Sequence, residues 1–142
     1  MSGIRILLVE DETALRHILA ENLRVRGHLV HEAATAQEAL DILQHQKLDL
    51  LLFDINLPDQ TGWEVLRTIT SGALPLPAPV PPVMILSGVR YSPRRLAEFR
   101  PLAYLPKPFP LDAVLRLVAE QDRLRQKAAD SPQTGGSNRR QS

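Results

Sequence analysis

The sequence predicts an α/β fold: five strands and five helices alternating around one parallel sheet. Three observations lead there. Apolar runs of strand length recur five times, separated by segments whose apolar residues repeat at helical spacing. Three of those runs are apolar almost throughout, which suits strands buried on both faces of a parallel sheet. Each of the three also ends on charge: Ile4–Val9 on Glu10-Asp11, Leu48–Phe53 on Asp54, and Leu102–Leu105, through Pro106, on Lys107-Pro108. In open parallel sheets, ligands gather at the carboxyl ends of the strands.

Taken in order, residues 4–9 form the first expected strand. A helix follows from Thr13 to Arg26, with Leu15, Ile18, Leu19 and Leu23 on one stripe and Gly27 as its stop. His28–Ala33 is a strand with polar residues, suited to a sheet edge. Thr35-Ala36-Gln37-Glu38 is a capping-box signature opening a helix that carries Ala39, Leu40, Ile42 and Leu43. The third strand covers 48–53, and Gly62 precedes a short helix with Trp63, Val65, Leu66 and Ile69. Residues 72–82 hold five prolines, which remove donors and fix φ, so an extended connection with polyproline character is expected. A stiff loop is the simpler reading of it; a docking segment for a proline-recognising partner is the other. Val83–Leu86 is the fourth strand, ending on Ser87-Gly88. A short helix over 93–100, a fifth strand over 102–105 and a final helix from Leu111 with Val114, Leu115 and Val118 complete the pattern. Residues 1–129 are thus one domain. Residues 130–142, rich in Ser, Gly, Gln and Asn, read as a disordered tail.

Composition narrows the function. A chain of 142 residues, 44% apolar, sustains a single core. Its 17 basic and 16 acidic residues nearly cancel, which gives no electrostatic footprint for nucleic acid. The absence of cysteine excludes a disulfide scaffold and a thiolate metal site, and His17, His28, His31 and His45 lack zinc-ligand spacing and read as surface or half-buried. With neither a signal-peptide pattern nor an apolar run of about 18 residues, a cytoplasmic protein without membrane contact is expected.

Right-handed crossovers with helices on both faces leave a doubly wound sheet of flavodoxin-like strand order 2-1-3-4-5 as the favoured topology. It sets Glu10 and Asp11 beside Asp54. Carboxylates that close raise one another's pKa unless a cation intervenes, and Mg²⁺ suits a site of few carboxylates. An acidic loop, unlike a glycine-rich one, repels a bare phosphate, which argues against flavin or dinucleotide binding. Asp54 can then attack phosphorus to give an aspartyl phosphate. Phosphoryl transfer needs its equatorial oxygens held: Mg²⁺, Lys107, and the Ser87 hydroxyl with the Gly88 N–H are placed to do so.

With these residues assembled, the chain resembles a response-regulator receiver domain of two-component signalling, over about residues 3–125. The acidic pair Glu10-Asp11, the aspartate in Phe53-Asp54-Ile55-Asn56-Leu57-Pro58-Asp59, Pro58, Gly62, Ser87 and Lys107-Pro108 all match its motifs. The resemblance implies that Asp11 binds Mg²⁺ directly and Glu10 through water, that Asn56 lends its backbone carbonyl, and that the Lys107–Pro108 bond is cis. It makes Ser87 and Tyr104 the switch residues and a histidine kinase the phosphoryl donor. The fourth helix is short for the family, and Pro101-Leu102-Ala103 replaces its usual turn, so an altered output surface is expected.

The expected function is a stand-alone response regulator acting through an unidentified downstream protein or by relay, with no enzymatic turnover beyond its own phosphorylation and autodephosphorylation. Asn56 and Val89 would tune the latter. The alternative is a receiver-shaped interaction module for which phosphorylation is dispensable. A phosphatase is disfavoured because Asn56, two residues after the nucleophile, cannot shuttle a proton. A weak homodimer through the fourth-helix to fifth-helix face stays open.

Overall fold

A computed structural model describes residues 3–88 and 93–130. The elements are β1 (Arg5–Val9), α1 (Thr13–Val25), β2 (Leu29–Ala33), α2 (Ala36–His45), β3 (Leu50–Asp54), α3 (Gly62–Thr70), β4 (Val83–Ser87), α4 (Pro93–Phe99), β5 (Ala103–Pro106) and α5 (Leu111–Asp130). All strands pair in parallel in the order β2-β1-β3-β4-β5. The expected topology is therefore the observed one, with β2 at an edge. No helix among the described residues is long and apolar enough to cross a membrane. The tail expected over 130–142 starts one residue too early, since α5 runs through Asp130; residues 131–142 and Val89 lie outside the described residues.

Strand alternation divides the core. Ile6, Leu8, Leu50, Leu52, Met84 and Leu86 face α1 and α5, meeting Leu19, Leu23, Val114, Leu115 and Val118. Leu7, Val9, Leu51, Phe53 and Ile85 face α2 and α3, meeting Ala39, Leu43, Val65, Leu66 and Ile69. Every residue of β3 is buried, as a central strand covered on both faces requires.

Several local expectations change. Ile18 is half exposed, so the buried stripe of α1 is Leu19, Ala20 and Leu23, flanked by the half-buried Leu15. Gly27, at φ 93°, does stand one residue past the α1 cap. His28 is buried, with Nδ1 accepting from the Ile4 N–H at 3.1 Å. Thr35 caps α2 through the Glu38 N–H, but Glu38 returns its bond to the Ala34 N–H, one residue earlier than a capping box requires. The full capping box is on α3, between Thr61 and Glu64, and Gly62 is the first residue of that helix.

The proline-rich connection carries no helix or strand and lies against the α2–α3 side. Leu74, Leu76 and Val80 pack on that core while Pro75, Pro77 and Pro79 face outward. α4 buries no residue. It is held by the stack of Phe99 on Trp63, with centroids 5.8 Å apart, and by the Arg67–Glu98 ion pair. At the opposite edge, Arg24 reaches from α1 to the Val30 carbonyl of β2 at 2.7 Å.

Candidate phosphoryl-acceptor and metal site

Glu10, Asp11, Asp54, Ser87 and Lys107 each sit where a strand stops. The β1–β3 register pairs Val9 with Phe53, so Glu10 and Asp54 follow side by side. The β3–β4 register pairs Asp54 with Leu86, and Ser87 pairs with Pro106 of β5, one residue before Lys107. Glu10, Asp54 and Ser87 are buried and Asp11 is exposed. Each of the three acids offers an oxygen, all within 4.8 Å of one another.

Lys107 answers this charge. Its Nζ lies 2.7 Å from Glu10 Oε1 and 3.1 Å from Asp54 Oδ2. The Lys107 N–H also donates to the Ser87 carbonyl at 2.6 Å, which ties β5 to β4 at this level. The other Asp54 oxygen, Oδ1, accepts from the Asn56 N–H at 3.1 Å. The Lys107–Pro108 bond is cis, as the resemblance implies.

The electrostatics show a shortage of positive charge. Burial pushes the Glu10 carboxyl up to about 7, and the Asp54 charge adds to the rise; the adjacent Lys107 ammonium and the bond from the Glu12 N–H only partly offset it. For Lys107, burial acts to lower the pKa, but the Glu10 and Asp54 carboxylates outweigh it and hold the ammonium above its ordinary value. Glu10 Oε1 is close to Lys107 yet outside hydrogen-bond geometry, leaving a buried acceptor with spare capacity. A hard, oxygen-preferring divalent cation fits these donors, and Mg²⁺ is the natural occupant. Glu10, Asp11 and Asp54 would hold it.

The structure brings together Glu10, Asp11, Asp54 and Lys107, with Ser87 on the neighbouring strand end. Asn56 lies in the β3–α3 loop with its N–H turned to Asp54 and its residue exposed. Tyr104 is half buried against the α2–α3 side of the core. Two contributors escaped the sequence reading. Asp59 accepts from the Ala36 and Gln37 N–H groups at 2.8 and 3.0 Å, fastening the loop after Asp54 to the start of α2. Arg16 donates to the Glu10 carbonyl at 2.9 Å. Both act on backbone groups of another element, and neither has a spacing that marks it.

The class this fold and this strand-end chemistry define is the receiver domain of two-component signalling. Residues 6–119 match the response regulator receiver domain family, and the chain belongs to it. Phosphorylation and Mg²⁺ binding are characteristic of that family. Among its relatives, the cell cycle transcriptional regulator CtrA of Caulobacter vibrioides is 32% identical over 117 residues, covering 81% of this chain and 48% of the relative. The response regulator MprA of Mycobacterium bovis is 34% identical over 115 residues, covering 80% and 48%. The chain thus spans about half the length of these curated relatives. In structure it is similar to a CheY-like receiver domain protein from Methanospirillum hungatei, at TM-score 0.72 and 28% identity over 89% of this chain and 99% of that one. The non-phosphorylated HemR receiver domain from Leptospira biflexa gives TM-score 0.71 and 30% identity over 83% and 93%.

Proposed function

We propose that Asp54 accepts a phosphoryl group from the phosphohistidine of a histidine kinase, with Mg²⁺ required, and that the aspartyl phosphate alters binding to a downstream protein or passes the group on. The observation carrying this reading is the meeting of Glu10, Asp11 and Asp54 with Lys107 at the carboxyl ends of β1, β3 and β5.

In the transfer, a carboxylate oxygen of Asp54 forms the new bond to phosphorus while the bond from phosphorus to the donor imidazole nitrogen breaks. The electron pair leaves with the imidazole, which takes no proton from Asp54. Bound Mg²⁺ supplies charge neutralisation for the phosphoryl oxygens. Lys107, already directed at Asp54 Oδ2, is placed to follow a phosphoryl oxygen added there. The Asn56 N–H orients Asp54 through Oδ1, and burial of Asp54 and Glu10 limits competing water. Ser87, at the end of β4, is suited to the third oxygen, and its movement toward that oxygen would draw on Tyr104. Asn56 offers no acid/base group, so hydrolysis of external phosphoesters is not expected.

The test is incubation with acetyl phosphate and Mg²⁺, read by intact mass. The wild type gains one phosphoryl adduct, and Asp54→Asn or added EDTA abolishes it. Equal labelling of wild type and Asp54→Asn would overturn the assignment.

A further inference from the structure

The β1–α1 loop carries three consecutive carboxylates, Glu10, Asp11 and Glu12, and like charges this close push it apart. Glu12 stands at the cap position of α1, yet no side-chain cap bond forms there. The loop is instead tied from three sides. The Glu10 N–H donates to the Ala33 carbonyl at 3.0 Å, and the Glu12 N–H to Glu10 Oε2 at 3.0 Å. The third tie is Arg16, one turn into α1: its Nη1 donates back to the Glu10 carbonyl at 2.9 Å, and its Nε to Glu32 Oε1 at 3.1 Å. The Arg16 side chain is only 13% exposed, so the fork is held in place. Glu32 is itself fixed through its other oxygen by Arg24 Nη1 at 3.0 Å.

We infer that Arg16, locked by Glu32, is the positioning residue that sets the Glu10–Asp11 segment for Mg²⁺. The Glu10 carbonyl lies in the planar peptide that joins Glu10 to Asp11. Orienting that carbonyl fixes the direction in which the Asp11 backbone leaves β1. Of Glu10, Asp11 and Asp54, Asp11 is the exposed one, so its carboxylate depends on that backbone for its place. A positive charge near a cation site works against Mg²⁺ by Coulomb repulsion. Positioning and charge therefore predict opposite signs for the removal of Arg16. This deepens the phosphoacceptor reading and rests on Mg²⁺ binding at the same acids.

The experiment measures the Mg²⁺ dissociation constant of the full chain by calorimetry, with unfolding midpoints in EDTA alongside. Arg16→Ala is expected to weaken Mg²⁺ binding by about tenfold or more, the range for loss of a group that orients a metal ligand. Arg16→Lys, which keeps the charge but cannot serve both partners as a fork, also weakens it. Glu32→Gln moves the constant in the same direction by less. Asp54 labelling by acetyl phosphate recovers at saturating Mg²⁺, placing the loss in affinity. Unchanged or tighter Mg²⁺ binding in a folded Arg16→Ala would overturn the inference. If that variant does not fold, Glu32→Gln decides by the same criterion. A wild type that binds Mg²⁺ without labelling at Asp54 would overturn the phosphoacceptor reading, while weaker binding by Arg16→Ala would still support the role of Arg16.

Discussion

Gly62→Ala tests how tightly the loop after Asp54 is built. A Cβ at Gly62 would stand 2.9 Å from the Asp54 carbonyl oxygen and 3.1 Å from both Cα and Cδ1 of Ile55. Two of those atoms are backbone, and the Gly62 N–H already donates to the Ile55 carbonyl at 2.7 Å. Neither side can retreat without moving the end of β3. Inserting a methyl into such a contact costs roughly 1–3 kcal/mol. Alanine's helix preference returns less than about 1 kcal/mol at a first helical position. A net loss of about 1–2 kcal/mol, over a urea slope of roughly 2 kcal/mol/M, lowers the unfolding midpoint by about 0.5–1 M. Because the displaced atoms belong to Asp54 and Ile55, acetyl phosphate labelling should slow as well. A variant with an unchanged midpoint and wild-type labelling would refute the claim that close approach dictates glycine here.

Glu10→Gln removes a carboxylate whose pKa is raised on folding, so in EDTA the variant should gain on wild type as pH rises from about 4.5 to about 7. The gain at pH 8 should be on the order of 1–3 kcal/mol by urea unfolding, with Mg²⁺ binding lost; lower stability than wild type at pH 8 would contradict this. Burial first, and the Arg26 charge with it, lowers the His28 pKa against the pull of Asp122. The neutral ring is therefore the folded form, and its contribution is complete above the unfolded value of about 6.5 and is lost as pH falls below it. His28→Asn should flatten the fall in urea midpoint between pH 7.5 and 5.5 (buffer values set on the order of one unit either side of that reference), and parallel profiles would count against it. Trp63 is the sole tryptophan and is stacked on Phe99 of α4. Beryllofluoride with Mg²⁺ should therefore change its fluorescence if α4 carries the response, and Phe99→Ala should suppress the change. An unaltered spectrum together with unaltered partner affinity would favour an interaction module indifferent to phosphorylation.

What the sequence revealed depended on locality. Glu10, Asp54 and Lys107 were legible because each closes an apolar run, and a parallel sheet turns three such closures into one site. The capping boxes were harder to place: Thr35 and Glu38 have the right spacing, but a slight change of geometry sends Glu38 to Ala34, while the real box at Thr61 lay behind a glycine that looked like a break. Ile18 fits a helical stripe on spacing alone, yet the α1 face that docks is centred on Leu19 and Leu23. Arg16 and Asp59 act on carbonyl and N–H groups of distant segments. No period reports such contacts, since any residue can supply the backbone partner.

The bond from Arg24 to Val30 bears on how copies of the molecule treat one another. The Leu29 N–H donates inward to the Ile4 carbonyl, and the Ala33 carbonyl accepts from the Glu10 N–H, so the odd residues of β2 face β1 and Val30 faces the open edge. A strand arriving from another chain would need the Val30 carbonyl as an acceptor near the start of its ladder, and finds it taken by a guanidinium that is itself ion-paired to Glu32. Charge placed on a free edge in this way discourages strand addition. Arg24→Ala should therefore leave the fold intact and make the protein more prone to sheet-to-sheet aggregation during concentration.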